Sequence, residues 1–194
     1  MPYTVVTDAA SEPLTKAETR LHLKNEGITA DDDLLDIYIK AARQLCEEYT
    51  NTALLSKTIS QVFDVFPKTD AVKNPFGALE LTVTPVISVS SVIYKDADGD
   101  NQTISASNYD VDTTTRFARV APVSGYTWPS TYSGINAVTV QYLAGYSSTT
   151  TLPAPFRSAM LLTIGHWYIN REDSPRRLST QAEWILKRYT VKQF

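Results

Sequence analysis

Few residues in this chain could do chemistry, and their spacing limits what they could do. Asp96-Ala-Asp98-Gly99-Asp100 puts carboxylates at alternate positions, as a calcium loop does. The glycine comes too early for such a loop, and the twelfth position, where a bidentate Glu belongs, is Ser107. Asp98-Gly99 between two β-rich runs is instead a hairpin-turn signal. Asp31, Asp32 and Asp33 are adjacent, so on a helix they fan around the axis instead of converging on one ion. Negative charge there suits the positive end of a helix. His22 and His166 are the only histidines, and a nucleophile triad or a zinc site needs a partner beside such a residue. The chain has no Gly-x-Ser-x-Gly, no phosphate loop and no Gly-x-Gly-x-x-Gly. This inventory argues against an enzyme and implies no catalytic residue, metal or cofactor. The single Cys46 lies on an apolar helical stripe and reads as a buried small hydrophobe, not a reactive thiol.

Composition narrows the field further. A chain of 194 residues fits one domain, or one domain with an insertion, and can bury a core without disulfide or metal. No basic, apolar leader opens it, and no apolar run approaches the ~18 residues of a membrane helix, so folding in the cytoplasm is expected. The net charge of −3 hides an asymmetry. Residues 1–156 carry 11 Lys and Arg against 18 Asp and Glu, while residues 157–194 carry 7 against 3. A basic tail on an acidic body suggests a negative partner, either an acidic protein face or nucleic acid. The plainer reading is a solvated helical face whose cations suit a helix C-terminus.

The elements that must position these residues follow from periodicity. The run 154–173 places Phe156, Met160, Leu161, Ile164, Trp167 and Tyr168 on one stripe. Leu34, Leu35, Tyr38, Ile39, Ala42, Leu45, Cys46 and Tyr49 repeat the pattern upstream. An amphipathic helix is stabilised mostly by packing, so these two stripes are expected to face each other. A short helix starts at Thr15 with Glu18 as a capping box, has a weak apolar face of Leu14, Ala17, Leu21 and Leu23, and ends at Asn25-Glu-Gly27. Thr180 with Glu183 reads as a second capping box opening a last helix. Between the two long helices lie about six strand signals: 57–66, 79–83, 86–94, 108–112, 117–121 and 137–144. Residues 1–13 show no periodicity and read as extended.

The fold expected is therefore α+β. It is a small bundle of helices near 15–25, 31–50, 154–172 and 180–189, with an antiparallel sandwich or barrel inserted between the second and third. The organisation expected is N-terminal bundle helices over 1–56, the β insertion over 57–146, the closing helix over 147–173 and a basic arm over 174–194. Trp, Tyr and Arg are the types enriched at interface hot spots. On the arm they point to Arg176, Arg177, Trp184, Lys187, Arg188, Tyr189 and Phe194 as docking residues. On the insert, Tyr126, Trp128 and Tyr132 could anchor an interface or stack on sugar, and the alternative is a loop folding its aromatics onto its own sheet.

The ordered set of motifs resembles a known family. Leu14-Thr15-Lys16-Ala17-Glu18 with His22-Leu23, then Asp31-Asp-Asp-Leu-Leu35 with Ala41-Ala42-Arg43 and Glu47-Glu48-Tyr49-Thr50, resemble the opening of bacteriophage head–tail connector (adaptor) proteins. Leu79–Pro85, Val89–Tyr94, Tyr109–Asp112, Val140–Tyr146 and Pro153–Tyr168 are similar to the larger, β-inserted branch of that family. The resemblance spans 14–173 and is weak beyond Asp173. It implies a non-enzymatic virion protein at the head–tail interface: a ring, usually of twelve subunits, mounted on the portal protein. Such a ring extends the channel through which double-stranded DNA passes without sequence-specific binding, and it carries the stopper or tail-terminator protein. The basic C-terminal arm would dock on the portal. Other readings are a stopper or tail completion protein, or a carbohydrate- or ligand-binding β-domain.

Overall fold

The two long apolar stripes meet in one core. The computed structural model describes residues 3–115, 117–171 and 177–190. Its elements in chain order are β1 (Tyr3–Thr7), α1 (Lys16–Leu23), α2 (Asp32–Thr50), β2 (Lys57–Phe63), β3 (Leu79–Glu80), β4 (Val86–Lys95), β5 (Asn101–Thr103), β6 (Tyr109–Asp112), β7 (Arg119–Pro122), β8 (Val138–Ala144), α3 (Ala154–Ile169) and α4 (Thr180–Leu186). The fold is α+β. The chain divides into a β unit, from Met1–Asp8 and Ser56–Gly145, and a helical unit, from Ala9–Leu55 and Tyr146–Phe194.

In the helical unit, Tyr38, Ile39, Ala42 and Cys46 of α2 share a buried cluster with Phe156, Met160, Ile164 and Trp167 of α3. The Tyr38 and Trp167 rings meet edge to face at 5.6 Å, a favoured aromatic geometry. Cys46 is fully buried, and burial first, then the Glu47 charge, pushes its thiol up to about 12. It is therefore a packing residue, with almost no thiolate at neutral pH. Leu178, Ala182 and Leu186 belong to the same cluster, so α4 is the fourth helix of this core.

Helix ends depart from the sequence reading at identifiable places. The Thr15–Glu18 capping box forms as read. The α1 C-terminus is closed by Lys24 in the left-handed conformation, not by Gly27. There the Asn25 N–H bonds the Arg20 carbonyl at 2.9 Å, so the last-turn carbonyls are already satisfied and glycine is not needed. The apolar face expected of α1 is not what buries it. Leu21 is 62% exposed, and among the residues of α1 itself only Thr19 is buried. Ion pairs hold α1 in place: Arg20 with Asp32, Glu18 with Arg157, and Lys16 with Asp36 at 3.0 Å. Helix α3 stops at Ile169, short of the expected 172. The cap of α4 is Ser179, whose hydroxyl accepts the Ala182 N–H, so the Thr180–Glu183 box is shifted by one residue.

The β unit contains a five-stranded sheet of order β1-β2-β8-β4-β5 and a three-stranded sheet of order β3-β7-β6, both antiparallel. The central strand β8 alternates strictly, with Val138, Val140, Tyr142 and Ala144 buried. Residues 3–7 are extended as read, but they do not belong with the N-terminal helices. They form edge strand β1, with Tyr3 opposite Gln61 and Val5 opposite Ile59. The 79–83 signal shortens to a two-residue strand because Leu81 continues by bonding the Ala118 carbonyl at 2.9 Å outside the regular ladder. Asp98-Gly99 does turn the chain between β4 and β5, with Gly99 at φ +91°.

Candidate functional site

Three polar networks among the described residues are occupied by their own side-chain and backbone partners. In the β unit, the Gln61 side chain is fully buried. Its carbonyl accepts the Thr82 N–H at 3.0 Å and the Tyr142 hydroxyl at 3.0 Å, while its amide donates to the Glu80 carbonyl at 3.0 Å. Burial pushes the Tyr142 hydroxyl up to about 12, so it serves as a neutral donor. This network ties β2 and β8 to the start of the second sheet. It was not legible in sequence, because a Gln on a strand carries no signal for burial.

The helical unit holds two further networks. Arg43 is buried, with 1% of its side chain exposed. Its guanidinium donates to Glu12 at 2.8 Å and to Glu47 at 3.1 Å. Glu47 in turn accepts the Leu54 N–H at 2.9 Å, which anchors the chain just past α2. At the opposite end of α2, the Tyr168 hydroxyl donates to Asp31 at 2.6 Å and accepts from the Asn25 amide at 2.9 Å. Arg171 lies 4.9 Å from the Tyr168 ring centroid and reaches Asp31 at 3.2 Å. The Tyr168 hydroxyl, aided by Arg171, holds the Asp31 carboxyl below its usual range. Asp31 sits at the α2 N-cap, yet its side chain caps no helical N–H and is used to clasp α3. Asp32 is likewise spent on Arg20. The acidic run thus acts through tertiary ion pairs as well as through the helix dipole.

The residues singled out for chemistry lie apart. Asp96 accepts backbone N–H bonds from Asp98 and Asp100 and the Gln102 amide at 2.8 Å, so its carboxylate is occupied by its own hairpin. His166 is exposed, with Nδ1 3.2 Å from the Asn170 amide, so it is not a packing residue, whereas Trp167 beside it is. His22 lies against the Gly165 backbone, where an added Cβ would sit 3.3 Å from Nε2. Among the described residues no three His, Cys, Asp or Glu side chains gather as metal ligands.

The loop aromatics divide. The Trp128 indole N–H donates to the Gly77 carbonyl at 2.7 Å, and its ring stacks on Phe66 at 4.6 Å and 9°. One face of the ring is therefore covered by Phe66, and Trp128 anchors its loop to the β unit. Tyr126 is half-buried, and Tyr132 is 47% exposed. On the arm, Trp184 is 80% exposed and points away from the core that Leu186 enters. Lys187 and Arg188 are exposed beside it. Arg177 lines a shallow groove with Leu45, Glu48, Tyr49, Leu178 and Glu183. The Tyr189 ring rests on Phe156 at 4.9 Å, so it belongs to the core side of the arm. Arg176 and Phe194 lie outside the described residues. No helix in the described residues is long and apolar enough to cross a membrane.

One charged pair gives a direct pH test. The Arg119 guanidinium at 2.6 Å, with two bonds from Thr114, pushes the Asp112 carboxyl down to about 2 from the usual 3.8. A pKa lowered on folding gives a stabilisation that is full above the unfolded value and is lost as pH falls through the folded one. The Asp112 contribution is thus expected to fade between about pH 4 and 2. A carboxyl-carbon NMR titration should place the Asp112 midpoint near 2, and Arg119→Ala should move it toward 3.8. A wild-type midpoint near 3.8 would refute the pairing.

No protein-family model and no curated protein matches this chain. Solved structures do match it over its whole length. A chain in the neck of an empty GTA particle, computed with C6 symmetry, aligns at TM-score 0.79 and 23% identity, covering 100% of this chain and 98% of that one. A chain in the virion of a native gene transfer agent (GTA) particle aligns at 0.78 and 24%, and one in the neck of a native GTA particle, computed with C12 symmetry, at 0.76 and 24%, with the same coverage. At these identities the likeness establishes the fold.

Proposed function

We propose that this chain is a structural protein of the neck of a phage-like particle and not an enzyme. The observation that carries this reading is the whole-chain likeness to neck chains, which extends through both units and the C-terminal helix. The finer reading is a head-to-tail adaptor: a ring, twelvefold, seated on the portal protein, that extends the DNA channel and carries the next neck protein. The motif order from Leu14 to Tyr168 supports it, as do the C6 and C12 symmetries used for the similar particles. Identical copies in a ring meet through heterologous contacts, which need two different surfaces on each subunit. The occupied polar networks agree with a scaffold, since none presents a free nucleophile and base to solvent. On this reading the exposed residues Trp184, Lys187 and Arg188, with Arg177, dock on the portal, and Leu178, Leu186 and Tyr189 hold that surface on the subunit.

Co-expression with the portal protein of the same particle tests this. Rings of the chain on portal particles, seen by negative stain and weighed by mass photometry, are the expected result. A chain that neither binds portal nor joins assembled necks would overturn it. Binding to the tail tube but not to the portal would favour a tail completion protein.

A further inference from the structure

We propose that α1 is a charge-latched strap: it opens from α2 and α3 independently of the rest of the helical unit, and ionic strength controls the opening. The two short helices of this unit are held by different forces. Helix α4, seven residues long, enters the apolar core through Ala182 and Leu186, with Leu178 just ahead of it. Helix α1, eight residues long, buries only Thr19, and the Thr19 hydroxyl turns back onto the Thr15 carbonyl at 2.9 Å. Leu21 is exposed, and Leu23 is only half-buried. Apolar burial therefore contributes little to seating α1, and an isolated helix of this length is not stable in water.

Charge makes up the difference. Arg20 grips Asp32 of α2 with two donors, Nε to one carboxylate oxygen at 3.0 Å and Nη2 to the other. Lys16 reaches Asp36, one turn further along α2, at 3.0 Å. Glu18 turns to α3 and pairs with Arg157, while its second oxygen accepts the Thr15 N–H at 2.8 Å. One carboxylate thus closes the capping box and joins α1 to α3. All three pairs stay partly open to water, so salt screens them.

The strap is pinned at both ends. Leu14, ahead of α1, is buried in the helical core. Asn25, behind it, is buried with its amide on the Tyr168 hydroxyl at 2.9 Å. Opening is confined to the turns between these pins, a local event well below the free energy of global unfolding. It frees Arg157 of α3 and Asp32 and Asp36 of α2, so ionic strength sets how much of these charges the helical unit presents.

Hydrogen–deuterium exchange of the full chain, read by mass spectrometry at constant pH in about 20 mM and about 1 M NaCl, tests this. At the higher salt the Debye length shrinks to about 3 Å. The amides of residues 19–23 should exchange about tenfold faster there, the summed effect of screening three such pairs. The amides of α4 should change less than about twofold, because apolar burial is not screened. Lys16→Gln/Arg20→Gln should exchange fast in α1 already at low salt, keep the wild-type rates in α4 and lose most of the salt dependence, with the Glu18–Arg157 pair supplying what is left. An α1 indifferent to salt, an equal salt response in α1 and α4, or full salt dependence in the double variant would each overturn the proposal.

Discussion

Arg43→Met should lower the stability of the chain by about 3–5 kcal/mol, the range for removing one partner of a buried ion pair. The substitution roughly keeps the volume of the site, so the loss is electrostatic. Arg43 is 1% exposed and supplies donors to Glu12 at 2.8 Å and Glu47 at 3.1 Å. The Glu47 side chain is only 13% exposed, so it loses its Arg43 partner in a place where water replaces it poorly. Glu12, at 31% exposure, can turn to water and should account for less of the loss. For a unit of about a hundred residues such a change corresponds to a fall of at least ~12 °C in Tm.

Removing both charges discriminates between mechanisms. Apolar replacement of a buried pair is often close to neutral. Arg43→Met/Glu47→Leu should therefore be more stable than Arg43→Met alone. The recovery should be incomplete, since Glu47 also accepts the Leu54 N–H, and that donor would lose its partner. Urea melts followed by circular dichroism would measure both. A loss below about 1 kcal/mol for Arg43→Met would show that the network contributes little, as exposed pairs do.

What the sequence made legible follows from which signals are local. The α2 and α3 stripes repeat over many residues, and the Tyr38–Trp167 contact is their direct consequence. The Asp98-Gly99 turn and the Thr15–Glu18 box lie within four residues, so they could be read without knowing the fold. Long-range choices could not. Asp31 has the look of a cap and is used as a clasp, because Tyr168 arrives from across the chain with a hydroxyl at 2.6 Å. Strand β1 was unreadable as part of the β unit, since five residues carry too little periodicity to name a partner over fifty positions away. Arg43 and Gln61 are polar types that default to the surface, and only their assembled partners make burial tolerable. The candidate surfaces split for the same reason. Trp128 and Trp184 look alike in sequence, yet one is stacked on Phe66 and the other stands 80% exposed.

Two substitutions two residues apart should separate folding from docking on the C-terminal arm. Leu186→Ala should cost about 2–5 kcal/mol, because Leu186 is fully buried in the helical core and its removal leaves a cavity there. Trp184→Ala should change stability by less than about 0.5 kcal/mol, as expected for an exposed side chain with no core contact. The functional effects should be reversed at equal concentrations of folded protein. An exposed Trp flanked by Lys187 and Arg188 has the chemistry of an interface anchor, and truncating such an anchor costs about 2 kcal/mol or more, roughly thirtyfold in affinity. Portal binding should thus fall at least thirtyfold in Trp184→Ala and stay close to wild type for the folded fraction of Leu186→Ala. Deleting residues 174–194 should not leave an intact body, as a removable arm would. It strips Leu178, Ala182 and Leu186 from the core and uncovers Phe156, which Tyr189 shields. A truncated chain that melts like the wild type would show that α4 is dispensable for folding. Unchanged portal binding by Trp184→Ala would remove this helix face from the docking surface and leave the basic residues to carry it.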